Sequence, residues 1–141
     1  MISNVVQDGK ALGGLGDGES VWHADMTYQP VPPKAALLLA REIPAEGGNT
    51  YFANMYAAYE SLSPKMRDFL DDMEGVNDVS LISARRDPAI LEAFKRLNPP
   101  VVHPAVRVHP ESGKRALYVN DRVRTFVGMS DAESKPLIKF L

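Results

Sequence analysis

The chain has 141 residues, 45% of them hydrophobic, enough apolar side chain for one domain with a real core. Its 16 basic and 18 acidic side chains leave a formal charge of -2, so it offers no broad basic field to a nucleic-acid backbone. Cysteine is absent, which excludes disulfides and thiolate metal sites, and the longest apolar run, residues 35–40, falls far short of the ~20 residues that cross a bilayer. A cytoplasmic protein with no nucleic-acid partner and no membrane segment is the expectation, with a homo-oligomer left open.

Residues 1–7 alternate weakly and read as a strand. The glycine-rich stretch 9–18 has the composition of a loop; it lacks the spacing and the Lys-Ser/Thr ending of a phosphate loop, which argues against nucleotide binding. Pro30, Pro32 and Pro33 then form a rigid turn. Residues 35–42 are apolar at nearly every position, the pattern of a strand covered on both faces. A short strand is expected at 50–53, entering a helix at 55–61.

Ser63 and Pro64 are a helix start, because Ser can cap while Pro fills a first position that needs no backbone donor. The helix from Pro64 to about Met73 places Met66, Phe69, Leu70 and Met73 inward. Asp87 and Pro88 repeat the device and open a helix to Leu97, with Ile90, Leu91, Phe94 and Leu97 inward. Asn98, Pro99 and Pro100 end it. Residues 101–108 and 115–120 are strands joined by the turn 111–114, the clearest hairpin in the chain. Residues 121–141 are expected to be partly helical, broken near Gly128, with Ser130 placed to cap a helix carrying Glu133 three residues on. The mixture predicts an α+β fold, mainly β with helical insertions. The apolar segment 136–141 closes without a cap or polar tail, so residues 1–141 are expected to be a single partial domain.

One pair of residues suggests chemistry. In an extended segment, side chains two apart point the same way, so His23 and Asp25 can converge on one ion. An imidazole nitrogen and a carboxylate oxygen are two thirds of the two-His-one-carboxylate set that holds non-haem iron on one face. The spacing alone is weak, since such a pair is more often a satisfied surface hydrogen bond.

The surroundings are more specific. Residues 22–28, WHADMTY, resemble the iron-ligand segment of the taurine/2,4-dichlorophenoxyacetate dioxygenases, the TauD/TfdA family. Residues 32–64, with Gly47-Gly48-Asn49-Thr50, resemble that family's next block, and residues 103–120 resemble its later hairpin. The resemblance implies a double-stranded β-helix, or jelly roll, of which this chain is part. It also implies Fe(II), 2-oxoglutarate as cosubstrate and molecular oxygen. The reaction implied is hydroxylation of a small organic acid, with release of succinate and carbon dioxide. On this reading His23 and Asp25 are metal ligands and Thr50 contacts the distal carboxylate of 2-oxoglutarate. None of the three acts as a general acid or base.

The family's third ligand, a histidine, and its cosubstrate arginine have no counterpart before Leu141, so a fragment is expected. His103 and His109 fall in the hairpin block and are assigned structural roles. Arg107 and Arg115 are read as scaffold or surface, and Arg85 and Arg86 as a solvated loop pair. Trp22 and Tyr28 could flank the site or edge the core. The rival expectation is a non-catalytic jelly-roll remnant or protein-interaction module.

Overall fold

The computed structural model describes residues 6–11, 22–40, 43, 45–47, 49–82 and 88–141. Strand β1 (Val6–Gln7) pairs antiparallel with β2 (Lys10–Ala11) across Asp8 and Gly9, at φ of 51° and 74°. Two positive-φ residues make the turn whose twist suits a hairpin, and Asp-Gly is a favoured sequence for it. The rest of the expected strand, residues 1–5, and the glycine-rich residues 12–18 lie outside the described residues.

The helices begin where local capping chemistry says they should. In α1 (Met55–Ser61), the Asn54 side chain accepts from the Tyr56 and Ala57 amides at 3.1 and 3.2 Å. In α2 (Pro64–Asp71), the Ser63 hydroxyl accepts from Met66 N–H with Pro64 at the first position. Leu70 on α2 is fully buried, and Met66 and Met73 pack against the same core. Phe69, expected inward, is instead 52% exposed. It sits about 100° round the helix from Leu70, off the stripe that meets the core.

Strand β3 (Glu74–Asn77) follows and was not expected from the sequence, because Glu-Gly-Val-Asn has only one strongly β-favouring residue. A 3-10 turn (Val79–Ile82) leads toward α3 (Pro88–Leu97), which packs against that turn. Leu97, predicted to face inward, is exposed, and no described residue of α3 joins the main core cluster. Asn98 closes α3, donating to the Phe94 carbonyl from both its backbone (3.0 Å) and its side chain (2.9 Å).

The single strand predicted at 101–108 is two strands in two sheets. Strand β4 (Val101–Pro104) pairs with β3, and β5 (Val106–Val108) pairs with β6 (Arg115–Leu117). Ala105 marks the corner, its N–H bonded to Met73 O at 2.8 Å and its carbonyl to Tyr118 N–H at 2.7 Å. The β5–β6 hairpin turns through Gly113 at φ 68°, and β6 is shorter than the predicted 115–120. Within 121–141 the first segment is not helical: β7 (Val123–Phe126) completes the antiparallel order β4-β3-β7. Gly75 allows the close approach, since a Cβ there would lie 3.0 Å from Val123 Cγ1.

Helix α4 (Asp131–Phe140) starts at the expected Ser130–Glu133 capping box. Its buried Ser134 accepts from Phe126 N–H at 3.0 Å and fixes the helix to β7. The core lies between the helices and the strands: Tyr59, Leu70, Ala105, Leu117, Val123 and Phe126 are central to it. A polar knot closes one side, with the Arg115 guanidinium donating to Tyr59 Oη and to the Asp71 carboxylate.

Two predicted strands are corrected. Residues 35–40 form no strand, and Leu37, Leu38 and Leu39 are 95%, 77% and 83% exposed. An apolar run signals a need for cover, but it does not supply the paired strand, and none pairs with it among the described residues. Residues 50–53 are likewise exposed and irregular. The described elements are nevertheless a mixture of antiparallel strands and four helices. Among the described residues no helix is long and apolar enough to cross a membrane.

The α2 register is testable by urea unfolding. Leu70→Ala is expected to cost about 2–5 kcal/mol, as a fully buried leucine does. Phe69→Ala is expected to stay within about 0.5 kcal/mol.

Candidate functional site

Residues 22–24 run without regular structure into a tight turn at 25–28. Met26 takes φ 52°, a left-handed conformation costly for a residue with a Cβ, and Gln29 N–H closes the turn on Met26 O at 2.9 Å. Across this bend His23 and Asp25 converge: His23 Nε2 lies 3.3 Å from Asp25 Oδ1. The imidazole is largely covered, while the carboxylate is 62% exposed.

Asp25 faces a half-open cavity of about 250 Å³. Arg107 and Tyr118 supply the rest of its polar lining, and Pro32, Pro33 and Ala35 contribute an apolar wall. The Arg107 guanidinium lies over the Tyr118 ring, 4.8 Å from its centroid. Burial pushes the Tyr118 phenol above its ordinary range, and the charge and hydrogen bond of Arg107 oppose that rise without cancelling it. Nothing in the sequence marks Arg107 as a cavity residue rather than scaffold or surface; it becomes cavity lining only once β5 and the 22–36 segment are placed together.

The other histidines have the structural roles expected of them. His103 is buried on β4, its Nε2 at 2.9 Å from Thr27 O and 3.1 Å from Gln29 O. Carbonyl oxygens only accept, so this nitrogen carries the proton and donates to both. The ring meets Tyr118 edge-on at 5.7 Å. His109 Nδ1 accepts from the Glu111 and Ser112 amides, both at 3.3 Å, and so caps the hairpin turn.

Trp22 is 60% exposed, whereas Tyr28 packs edge-on against Phe94 of α3 at 5.6 Å. Thr50 is exposed in an irregular segment, and the described lining of the cavity does not include it. Arg85 and Arg86 lie outside the described residues.

The donor pair suits part of a metal site. Two donors about 2.1 Å from an ion, in adjacent octahedral positions, stand ~3 Å apart, close to the separation of His23 Nε2 and Asp25 Oδ1. Among the described residues no third His, Cys, Asp or Glu joins them.

The chain belongs to the family described as taurine catabolism dioxygenase TauD, TfdA family, whose profile matches residues 2–141. It is 36% identical over 137 residues to an alpha-ketoglutarate-dependent sulfate ester dioxygenase of Pseudomonas putida, covering 92% of this chain and 46% of that protein. A solved taurine dioxygenase from Burkholderia xenovorans matches at 35% identity and TM-score 0.70, over 86% of this chain and 39% of that one. The crystal structure of AAD-2 in complex with Mn(II) and N-oxalylglycine matches at TM-score 0.74 and 28% identity, over 85% and 48%. The fold is therefore part of the jelly-roll dioxygenase architecture of these neighbours. The chain spans about half the length of the curated relatives it matches.

The Arg107–Tyr118 contact predicts a direction. In Arg107→Gln, burial acts on the phenol unopposed, so Tyr118 should ionise at higher pH than in the parent protein. Absorbance titration of tyrosinate, with Tyr118→Phe to identify the transition, checks it.

Proposed function

We propose that this chain carries two protein ligands and one cosubstrate contact of an Fe(II)- and 2-oxoglutarate-dependent dioxygenase. The whole protein would hydroxylate a small organic acid with molecular oxygen and release succinate and carbon dioxide. The observation that carries the reading is the convergence of His23 Nε2 and Asp25 Oδ1, 3.3 Å apart, with Asp25 lining a cavity. Support comes from relatives named for dependence on alpha-ketoglutarate and from a neighbour solved with Mn(II) and N-oxalylglycine.

In this reading His23 holds the metal through Nε2 and Asp25 through a carboxylate oxygen. Bound iron supplies the redox chemistry with oxygen; the protein supplies binding and orientation. Pro32, Pro33 and Ala35 line the cavity beside Asp25, and Arg107 places a positive charge on the same cavity. Neither His23 nor Asp25 serves as a general acid or base.

Thr50 is proposed as a hydroxyl donor to the distal carboxylate of 2-oxoglutarate. That assignment rests on the Gly47-Gly48-Asn49-Thr50 sequence, where small residues allow an anionic cosubstrate to approach the backbone. Residues 1–141 are taken as one portion of a dioxygenase domain, in a cytoplasmic protein.

Anaerobic Fe(II) titration tests the ligands: the whole protein is expected to bind one iron, and its His23→Ala variant to lose most of that affinity. Equal binding by both removes His23 from the site. Thr50→Ala should retain iron but weaken 2-oxoglutarate by roughly 1.5–3 kcal/mol, about ten- to a hundredfold in Kd. Unchanged affinity removes Thr50. Succinate formation from 2-oxoglutarate by the whole protein tests the activity itself.

A further inference from the structure

We propose that His103 is a positioning residue for the metal site, holding the turn that aims Asp25 into the cavity. The inference rests on the reading of His23 and Asp25 as metal ligands, and it concerns what keeps them in place.

The turn after Asp25 has a built-in reason to relax. Met26 carries a Cβ at φ 52°, and such a conformation persists only where its surroundings over-determine it. The turn's internal bond, Gln29 N–H to Met26 O at 2.9 Å, joins its two ends but does not fix it to the rest of the protein. His103 does. One buried Nε2–H is shared by the carbonyls of Thr27 and Gln29, 76 and 74 residues earlier in the chain. Those carbonyls flank Tyr28, so a single donor grips the turn on both sides.

The post is itself rigid. His103 stands on the edge strand β4, opposite Gly75 of the central strand β3. Its ring packs edge-on against Tyr118, and Tyr118 lies beneath Arg107 in the cavity lining. The ligand turn and the cavity wall are thus referred to one imidazole. A histidine serving only the core would not need both hydrogen bonds to land on the segment that carries Asp25.

Mn(II) binding by the whole protein, followed by loss of the free-ion electron paramagnetic resonance signal, tests this. His103→Leu fills the space without the donor and is expected to weaken Mn(II) binding about tenfold, while His103→Gln, whose amide nitrogen can reach the same carbonyls, stays within about threefold of the parent. Leu70→Ala, destabilised at a site remote from the turn, should keep the parent affinity at temperatures where it is folded. Parent-like binding by His103→Leu overturns the proposal. So does a His103→Gln no better than His103→Leu, or an equal loss in Leu70→Ala. If His23→Ala binds Mn(II) like the parent, the metal reading fails instead, and hydrogen exchange of the Gln29 amide then decides the role of His103. Exchange about tenfold faster in His103→Leu supports it, and unchanged exchange overturns it.

Discussion

The chain changes sheets at Ala105, and the geometry of the site follows from that corner. Its two backbone bonds, to Met73 O and from Tyr118 N–H, satisfy both polar groups of a buried residue as β4 gives way to β5. Burying a peptide group without partners is costly, so the corner is held where both bonds can form. His103 lies two residues before it and Arg107 two residues after. One therefore reaches the turn at 25–28, while the other joins the lining of the cavity beside Asp25. Tyr118, whose amide completes the corner, touches both of their side chains.

The elements legible in the sequence are those specified by near neighbours. Ser63 with Pro64, Asn98 with Pro99, and Ser130 with Glu133 settle helix ends within a few residues, and all appear as local chemistry predicts. The β5–β6 hairpin is legible for the same reason, with Gly113 supplying the positive φ its turn requires. Strands β3 and β7 are specified by partners far along the chain. Glu74, Gly75, Val76 and Asn77 have little intrinsic β preference, and Gly75 earns its place only through Val123, 3.0 Å from where a Cβ would be. The apolar run at 35–40 errs in the opposite direction: strong strand character by composition, no pairing among the described residues.

The candidate site divides in the same way. His23 and Asp25 are two residues apart, and their convergence needs only a local bend, so spacing and family resemblance together could single them out. The contacts of His103 with Thr27 and Gln29 span more than 70 residues, and no local pattern announces them. Its burial and structural role could be anticipated from the hairpin block, but not which segment it would hold. Arg107 is harder still, because the signal that matters is its neighbour Tyr118 across the β5–β6 hairpin. Thr50 shows the converse. A short motif named it, and the described fold leaves it exposed and outside the cavity.

Asp78 shows how the same sheet handles a buried charge away from the site. Burial alone would raise its carboxyl, yet hydrogen bonds from the Ser80 backbone and hydroxyl, and the hydrogen bond and charge of Arg124, bring it below the ordinary carboxylate range. Its contribution to stability is therefore fully present above the unfolded-state pKa and is lost as pH falls through the lowered folded-state value. The pair joins the end of β3 to β7 at 3.4 Å, beside the 3-10 turn. The central strand is consequently secured at both ends by means its own residues scarcely advertise: the Asp78 network at one, and at the other the Ala105 N–H on Met73, the residue just before Glu74. Because β3 is the ladder partner of His103, the placement of the turn at 25–28 depends on a strand that propensity alone would not form.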